Sequence, residues 1–298
     1  PWTQRLVEAG AEVAITTHQF TFGDLRCSVM HDAARAHTAG ELEVNAEHAQ
    51  LERVALEFDL ELDRSLVDSN VLLINTADEN VLVDAGFGDP DSQLRPGLES
   101  VGIDPGDIGT IVITHSDWDH IGGILDDQEH IAFPRARYVM LQRAWQHWAS
   151  AESRSRLASI NAWPEEKTEL VWETYSKIQE LLILVDAEEE FLPGFRLIPA
   201  SGHRCDHAVL KVSSSGERLL HLSDAVVHPL LMAHQDWYST YDSDPAQAVA
   251  TKKRLLDWSA SEEALVFGAH FPFPGIGRVQ RHGGGWMWHP ERPNREQR

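Results

Sequence analysis

Apolar residues occur along the chain in short runs that end at polar or turn-forming residues, a pattern that predicts many short β-strands. Residues 20–30 form the first predicted hairpin, with Gly23 and Asp24 at its turn. Residues 67–75 and 80–84 form a second pair of strands. Further strands are predicted at residues 111–114, 137–141, 195–199, 209–213, 218–222 and 264–269. We expect the run at residues 264–269 to be the last buried strand.

Helical spacing of apolar residues predicts helices between these strands. The predicted helices cover residues 41–59, 94–101, 141–150 and 245–258, and Asp244 is the expected N-cap of the last one. The helix-rich stretch that continues to residue 184 is longer than a simple connection needs. We therefore expect a helical insertion at about residues 141–184 that either shapes substrate choice over a site or packs for stability, for example at a dimer interface.

The composition is that of an ordinary globular protein, because 42% of the 298 residues are hydrophobic and 24% are charged. We expect one domain over residues 1–298. Cys27 and Cys205 are too few for a disulfide framework, and we expect core or loop residues, with a single disulfide left open. The chain has neither a membrane-length apolar run nor an N-terminal signal segment, so we expect a cytoplasmic protein unless a leader has been removed.

The formal charge of −22 argues against nucleic acid as a binding partner. Proteins that bind nucleic acid present a basic face to the phosphate backbone, and this chain is strongly acidic. We therefore expect a small-molecule partner rather than nucleic acid or a membrane.

The most informative stretch is a cluster of polar residues directly after the strand at residues 111–114. Two histidines and two aspartates fall within six positions, at His115, Asp117, Asp119 and His120. Buried carboxylates and imidazoles are costly unless they are paired or hold a metal. Imidazole nitrogen and carboxylate oxygen are ligands of zinc-like divalent ions, so the cluster predicts a metal site.

Other predicted strands also end in polar residues. Asp84 ends the strand at residues 80–84, where a carboxylate is well placed to orient metal ligands. His203, Asp224 and His270 follow three later strands. His207 lies close to His203 and either helps to position it or faces solvent.

The segment His115-Ser116-Asp117-Trp118-Asp119-His120 resembles the His-x-His-x-Asp-His motif of the metallo-β-lactamase superfamily. Asp117 stands where most members have the second histidine. The resemblance covers roughly residues 20–277 and implies an α+β fold, a four-layer αββα sandwich of two mixed sheets with helices outside. The alternation of strands and helices by itself would also suit a doubly wound sheet.

The resemblance also implies a dinuclear metal site, with catalytic roles for Asp119, His120 and Asp224. One divalent ion would be held by His115, Asp117 and His203. The second would be held by Asp119, His120 and His270. Asp224 would bridge the two ions together with a hydroxide that attacks the substrate.

Asp117 changes the charge of this expected site. Three carboxylates and a bridging hydroxide together neutralise two divalent ions, whereas a histidine at residue 117 would leave one positive charge. We therefore expect a weaker Lewis acid that tolerates harder ions such as manganese or iron, with zinc as the first choice.

Within the superfamily, the chain looks most like the branch of lactonases and organophosphate hydrolases. The expected reaction is hydrolysis of a lactone, ester or phosphotriester. The alternatives are a thioesterase of the glyoxalase II kind, for which the chain offers only the basic residues 252–254, and a non-catalytic protein that binds a small molecule. A homodimer is common among similar proteins.

Aromatic residues near the motifs are candidates for the walls of a substrate pocket. They are Phe87, Trp118, Trp237, Tyr238, Phe271 and Phe273. His228 and His234 follow Asp224 and are weaker candidates for the same pocket. The Gly- and Trp-rich residues 283–288 could close over the pocket, pack on a partner or form a loose tail.

Overall fold

The computed structural model describes residues 15–37, 45–57, 65–149 and 165–291, with the side chains of 36, 37, 65 and 66 left out. The strands are β1 Thr17–Phe22, β2 Leu25–His37, β3 Ser65–Asn75, β4 Asn80–Val83, β5 Ile108–Val112, β6 Arg137–Leu141, β7 Leu182–Val185, β8 Glu190–Leu192, β9 Phe195–Pro199, β10 Ala208–Ser214, β11 Glu217–His221, β12 Leu265–Phe267, β13 Ile276–His282 and β14 Gly285–Pro290. The α-helices are α1 His48–Glu57, α2 Leu94–Ser100, α3 Trp118–Ile121, α4 Gln142–Trp148, α5 Glu165–Ile178 and α6 Pro245–Ser261. Single 3₁₀ turns lie at Pro105–Asp107, Gly122–Ile124, Gln179–Leu181, Ser223–Ala225 and Pro229–Met232.

The strands form two mixed sheets of seven strands each, in the order β1 to β7 and in the order β14 to β8. The first sheet is antiparallel from β1 to β4 and parallel from β4 to β7. Among the described strands of the second sheet, only β11 and β12 pair in parallel. Parallel neighbours place their carboxyl ends at one edge of a sheet, and this arrangement later brings the polar residues together.

Alternation along β10 shows how the layers stack. Leu210 and Val212 belong to a core cluster that contains residues of both sheets, so they point into the space between the sheets. Val209 belongs to a second cluster together with Leu255 and Leu256 of α6. Helix α6 therefore covers the opposite face of the second sheet.

The first sheet is covered by helices in the same way. Helix α2 packs on β2 and helix α4 on β6 and β7. Leu98 of α2, Trp148 of α4 and Val171 of α5 are buried there as part of the same large core cluster. The result is two sheets between layers of helices, which confirms the expected αββα sandwich. The strands do not form the doubly wound sheet that their alternation with helices also allowed.

Several local predictions are confirmed. The first hairpin turns at Gly23 and Asp24, and Cys27 and Cys205 are free thiols. Helix α6 begins at its predicted N-cap, because the Asp244 carboxylate accepts a hydrogen bond of 3.0 Å from the backbone N–H of Gln247.

The helix expected at residues 41–59 is present as α1, which buries Leu51, Val54 and Ala55. The helix begins later than predicted, because residues 45–47 are not helical. Residues 41–44, 58 and 59 lie outside the described residues. Likewise, only part of the predicted insertion at residues 141–184 is described. Its end differs from the prediction, because residues 182–185 form β7, which pairs with β6 at the edge of the first sheet.

The strand expected to be the last is followed by two more, so that prediction is wrong. Strands β13 and β14 form a hairpin, and β13 pairs with β12. Trp286 and Trp288 of the Gly- and Trp-rich segment are buried in the core beside α6, rather than in any of the three expected places. The hairpin carries charged residues such as Arg278 and Arg281 on its exposed positions, and this polarity hid it from the apolar pattern.

None of the helices in the described ranges is both long and apolar enough to cross a lipid bilayer. The expected localisation, homodimer and single domain remain predictions.

Candidate metal centre

Strand ends position every predicted site residue at one edge of the sandwich. Asp84 follows β4, and the motif residues follow β5, its parallel neighbour. Asp224 follows β11, and His270 follows β12, its parallel neighbour. His203 lies after β9, which runs in the same direction as β11 because both are antiparallel to β10.

The structure brings all seven predicted metal ligands into one buried cluster. Six of them are at most 6% exposed, and only Asp119 is half-buried. The cluster consists of His115, Asp117, Asp119, His120, His203, Asp224 and His270. Four imidazole Nε2 atoms and three carboxylates therefore face one another.

The first half of the cluster is His115, Asp117 and His203. The Oδ2 atom of Asp117 lies 3.8 Å from Nε2 of His115 and 3.4 Å from Nε2 of His203. The second half is Asp119, His120 and His270. Here the Oδ2 atom of Asp119 lies 3.7 Å from Nε2 of His120 and 3.6 Å from Nε2 of His270.

Asp224 joins the two halves. Its Oδ2 atom lies 4.0 Å from Nε2 of His115 and 3.4 Å from Nε2 of His203. Its Oδ1 atom lies 3.2 Å from Nε2 of His120 and 3.3 Å from Nε2 of His270. One carboxylate therefore offers one oxygen to each half.

These separations suit divalent cations. Ligand atoms bound at about 2.1 Å to a tetrahedral ion lie about 3.4 Å apart, close to the separations in both halves. His115 Nε2 is buried and has no hydrogen-bond partner within the part of the chain that the structure describes. The Nε2 atoms of His120 and His270 lie 3.3 Å apart, a contact that a shared cation explains well. The donor set thus fits divalent metal ions.

Each of the four histidines is held at its other ring nitrogen, so that Nε2 is directed into the cluster. His120 Nδ1 donates to Oδ2 of Asp84 at 2.8 Å, and His203 Nδ1 donates to Oδ1 of Asp242 at 3.2 Å. His270 Nδ1 donates to the backbone oxygen of Asp68 at 2.9 Å. Such partners fix the ring orientation and the tautomer of metal-binding histidines.

The fourth histidine is oriented through a chain of three side chains that ends at Asp84. His115 Nδ1 lies 3.1 Å from the Thr114 hydroxyl, which itself donates to Asp84 Oδ2 at 2.8 Å. Asp84 also accepts a hydrogen bond of 2.9 Å from the backbone N–H of Thr114. The predicted orienting role of Asp84 therefore has a geometric basis and extends to both halves of the cluster.

Burial and neighbouring charges set the protonation of the cluster in the protein itself. Burial, with the nearby charge of His120, holds the pKa of His115 well below its usual value. Burial opposes ionisation of Asp224, but the positive charges of His270 and His120 outweigh it and keep its pKa well below the usual range. An ionised carboxylate and a neutral imidazole are the forms that bind metal ions.

Burial lowers the pKa of the other three histidines, but nearby carboxylates outweigh it and raise the pKa of His120, of His270 and of His203. Burial and the charge of Arg204 oppose protonation of His203, yet hydrogen bonds with Asp117 and Asp242 raise its pKa to about 9. A proton on His203 therefore competes with a cation up to this pH, and metal affinity falls as the pH decreases.

Sequence reasoning missed Arg204, which follows His203 directly and pairs with Asp117. Its Nε donates to Asp117 Oδ1 at 2.8 Å, and its Nη2 lies 2.6 Å from Asp117 Oδ2. Burial raises the pKa of Asp117, but the guanidinium charge and a hydrogen bond from His203 bring it below the usual value. A single arginine in a sequence carries no signal of this pairing, which depends on the path of the loop.

A second missed group is the buried network around Asp206. Its carboxylate accepts hydrogen bonds from Ser116 at 2.7 Å and from the indole of Trp148 at 2.6 Å. The Ser116 hydroxyl also lies 2.6 Å from the Tyr175 hydroxyl of α5. The network connects both ligand-bearing loops to α4 and α5, the described helices of the predicted insertion.

His207 is buried, and its Nε2 accepts a hydrogen bond of 3.2 Å from the backbone N–H of Asp224. It therefore positions the ligand loops and does not face solvent. His228 is buried as well, and its Nδ1 accepts from the backbone N–H of Leu230, whereas His234 stacks on Trp237.

The aromatic candidates fall into two groups. Trp237 and Phe271 are buried in the core beside α6, so they form no pocket wall. Phe87 and Trp118 lie with ring centroids 5.0 Å apart next to the ligand loop. Phe273 contacts His31 edge-on at 5.6 Å, and Tyr238 is half-buried.

Asp32 lies at a bulge within β2. It is buried and accepts hydrogen bonds of 2.9 Å from the backbone N–H groups of Phe87 and Leu94. It therefore supports the loop that follows Asp84.

The glycine pair after His120 permits a close contact between two loops. A Cβ atom at Gly122 would overlap the backbone oxygen of Phe87, and one at Gly123 would overlap that of Ala85. The turn after Asp84 therefore rests directly on the short helix that carries Asp119 and His120.

Replacing Gly122 with alanine is expected to lower the free energy of unfolding by about 1–3 kcal/mol, because a backbone oxygen has no room to yield. Gly106→Ala is the matched control, since no atom lies within 4 Å of its Cβ position. Urea denaturation of both variants measures the effect. Equal stability of the two variants would contradict the close contact.

Comparison with known proteins agrees with this geometry. A sequence model of the metallo-beta-lactamase superfamily matches residues 64–270. The chain belongs to this superfamily. The matched segment contains all seven residues of the cluster and the orienting residue Asp84.

Similar proteins support the same assignment. A probable metallo-hydrolase of Mycobacterium tuberculosis, Rv2300c, is 29% identical over 246 residues, which cover 68% of this chain and 74% of that protein. AidC, a dizinc quorum-quenching lactonase, has a TM-score of 0.85 at 25% identity, with 93% of this chain and 98% of that chain covered. The hydrolase AbOPH has a TM-score of 0.83 at 22% identity, with coverage of 95% and 99%, and shows the shared fold.

This member of the superfamily is a metal-dependent hydrolase, in line with the sequence-based prediction. The non-catalytic alternative is disfavoured, since the complete set of ligand-type side chains is present and assembled.

Proposed function

We propose that the protein is a dinuclear hydrolase of lactones, carboxylic esters or phosphotriesters, with zinc as the preferred ion and manganese or iron as alternatives. The observation that carries this proposal is the position of Asp224, whose two oxygens face two separate pairs of imidazoles. A carboxylate between two sets of ligands is the arrangement that holds two cations close together. When bound, two such cations lower the pKa of a water molecule between them and polarise the substrate oxygen.

Within this proposal the two halves of the cluster hold one ion each, and Asp224 reaches both. His115, Asp117 and His203 would hold the first ion. Asp119, His120 and His270 would hold the second.

Asp119 is the carboxylate best placed to meet substrate. Its side chain is 20% exposed, against 9% for Asp117 and 7% for Asp224. Burial is the main cause that raises the pKa of Asp119, and the nearby carboxylates of Asp224 and Asp117 add to it. Its Oδ2 atom faces the histidines. The carboxylate would take up the proton that the attacking water gives up and return it to the leaving oxygen as the scissile bond breaks.

Trp118, a half-buried aromatic side chain next to the cluster, suits an apolar or aromatic substrate. Trp118 lies between two ligand positions and packs on Phe87. A charged side chain makes a cation–π contact with each ring. Lys167 Nζ lies 4.2 Å from the ring centroid of Trp118, and Arg35 Cζ lies 4.5 Å from that of Phe87. Apolar walls with a few polar groups are typical of small-molecule sites. The lactonase activity of AidC agrees with this substrate class.

The thioesterase alternative is weaker, because the basic residues 252–254 are used within the fold. Lys252 is buried and donates to the backbone oxygen of Leu231 at 2.7 Å. Lys253 pairs with Asp236 at 2.7 Å, and Arg254 donates to the backbone oxygen of Pro199 at 2.7 Å. This segment therefore does not offer the basic patch that a glutathione thioester would need.

A substrate panel tests the proposal. Zinc- and manganese-loaded protein is assayed in a pH-stat against aliphatic lactones, aryl esters, aryl phosphotriesters and S-acyl thioesters, and bound metal is measured by mass spectrometry. We expect two metal equivalents per chain and turnover of at least one of the first three classes. Chelation should abolish turnover, and added metal should restore it, because the water and the substrate oxygen lose their activation without the ions.

Two other outcomes would each contradict one part of the proposal. Turnover of thioesters alone would contradict the substrate class but keep the centre. A single bound equivalent with full activity would contradict the dinuclear mechanism.

A further inference from the structure

Arg204 contacts both oxygens of Asp117, a candidate ligand of the first ion. Asp117 Oδ1 accepts from Arg204 Nε at 2.8 Å, whereas Oδ2 faces His203 and His115. Arg204 Nη2 also contacts Oδ2, at 2.6 Å. The guanidinium thus holds both oxygens, and of the two it is Oδ2 that also faces the imidazoles, so Asp117 offers a single ligand atom as a histidine would.

Arg204 is itself held firmly by its surroundings. Its side chain is 11% exposed. Its Nη1 donates to the backbone oxygens of His203, at 2.9 Å, and of Tyr241, and lies 3.3 Å from the Ser243 hydroxyl. A planar guanidinium fixed on several sides holds a carboxylate in one orientation, which a flexible ammonium does not do.

The pair of Asp117 and Arg204 also matches a histidine in charge. Arginine stays protonated at all relevant pH values, so the pair of Asp117 and Arg204 has no net charge. A neutral histidine at residue 117 would also contribute no charge. From the sequence we expected that Asp117 makes the site less positive by one charge. That expectation counted the carboxylate alone, and the adjacent guanidinium restores this positive charge.

We propose that Arg204 is a positioning residue that makes Asp117 equivalent to a histidine ligand, in charge and in number of ligand atoms. The inference rests on the two-ion centre of the proposed function. It implies that the wild-type protein has the zinc preference of a site with histidine at residue 117. The preference should shift towards harder ions only when the guanidinium charge is removed.

A double-mutant cycle tests the inference through metal binding. The proteins are wild type, Asp117→His, Arg204→Gln and the double variant. Each is loaded with zinc or manganese, the bound equivalents are counted by mass spectrometry, and stepwise dissociation constants are obtained by competition with a chromophoric chelator. Thermal unfolding of each metal-free variant controls for folding.

The Asp117→His variant is expected to bind one zinc equivalent at least about tenfold more weakly, since it leaves an uncompensated guanidinium a few ångströms from a cation. Adding Arg204→Gln should restore the affinity to within a few fold of wild type. The control is Asp117→His with Arg218→Gln, which removes a half-exposed arginine paired with Glu262 and should restore nothing.

Arg204→Gln alone gives a test that does not require a histidine to fit at residue 117. We expect one equivalent to bind about tenfold more tightly and the preference to shift towards manganese, because the Asp117 charge is no longer compensated.

Unchanged zinc binding in Asp117→His, or no recovery in the double variant, would overturn the inference while leaving the proposed function intact. So would an unchanged ion preference in Arg204→Gln. Fewer than two equivalents in wild type would overturn the two-ion centre, and this inference with it.

Discussion

Replacement of His120 with alanine is expected to lower kcat/KM by at least about a thousandfold, because one cation loses a ligand and its activation of water. His120 Nε2 lies 3.2 Å from Asp224 Oδ1 and 3.3 Å from His270 Nε2, so it is close to the other groups that would hold the second ion. We also expect the loss of about one bound metal equivalent per chain. Steady-state kinetics on the substrate identified in the panel, with metal counting on the same sample, measures both effects.

His48→Ala is a suitable control for this variant. His48 lies on α1, and its side chain is 80% exposed, so its loss should change neither activity nor metal content. If His120→Ala kept more than about a tenth of the activity with one equivalent fewer bound, the second ion would not take part in catalysis.

Replacement of Asp84 with asparagine is expected to lower kcat/KM by about 10–100-fold without removing a metal ligand. Asp84 accepts from both Thr114 and His120, and an amide of the same shape presents an N–H group where one of these donors points. The ring of His120 must then change its tautomer or turn, which misdirects Nε2. Because His115 is oriented through Thr114, both halves of the cluster should lose metal affinity.

Measurement of metal affinity beside activity distinguishes this orienting role from simple loss of stability. Asp78→Asn, in the exposed turn between β3 and β4, is the matched carboxylate-to-amide control. An Asp84→Asn variant with wild-type metal affinity and reduced stability alone would show that Asp84 serves only to hold the fold together.

The elements that could be predicted from sequence are those whose signals are local. The hairpin at Gly23 and the capped start of α6 follow from turn and cap chemistry within a few residues. The hairpin of β13 and β14 escaped prediction because its buried residues are spaced among charged ones. Its tryptophans could be assigned to the core only once α6 was in place beside them.

The candidate ligands could be named from the sequence and its resemblance to the superfamily. Polar residues that end buried strands must meet where parallel strands end together, and imidazoles with carboxylates in such a place bind metal ions. His115, Asp117, Asp119 and His120 lie in one short segment, so their proximity follows from chain connectivity alone.

The tertiary structure alone decided what surrounds those ligands. Asp242 supports His203 across 39 positions of sequence, and Asp68 supports His270 through its backbone oxygen across 202. Arg204 neighbours His203 in the sequence, yet its charge acts on Asp117, which is 87 positions away. Contacts of this kind leave no periodic or local trace in a sequence, because they depend on how two loops pass each other in space. The sequence thus determined which side chains could bind the ions, and the packing of loops decided their orientation and charge.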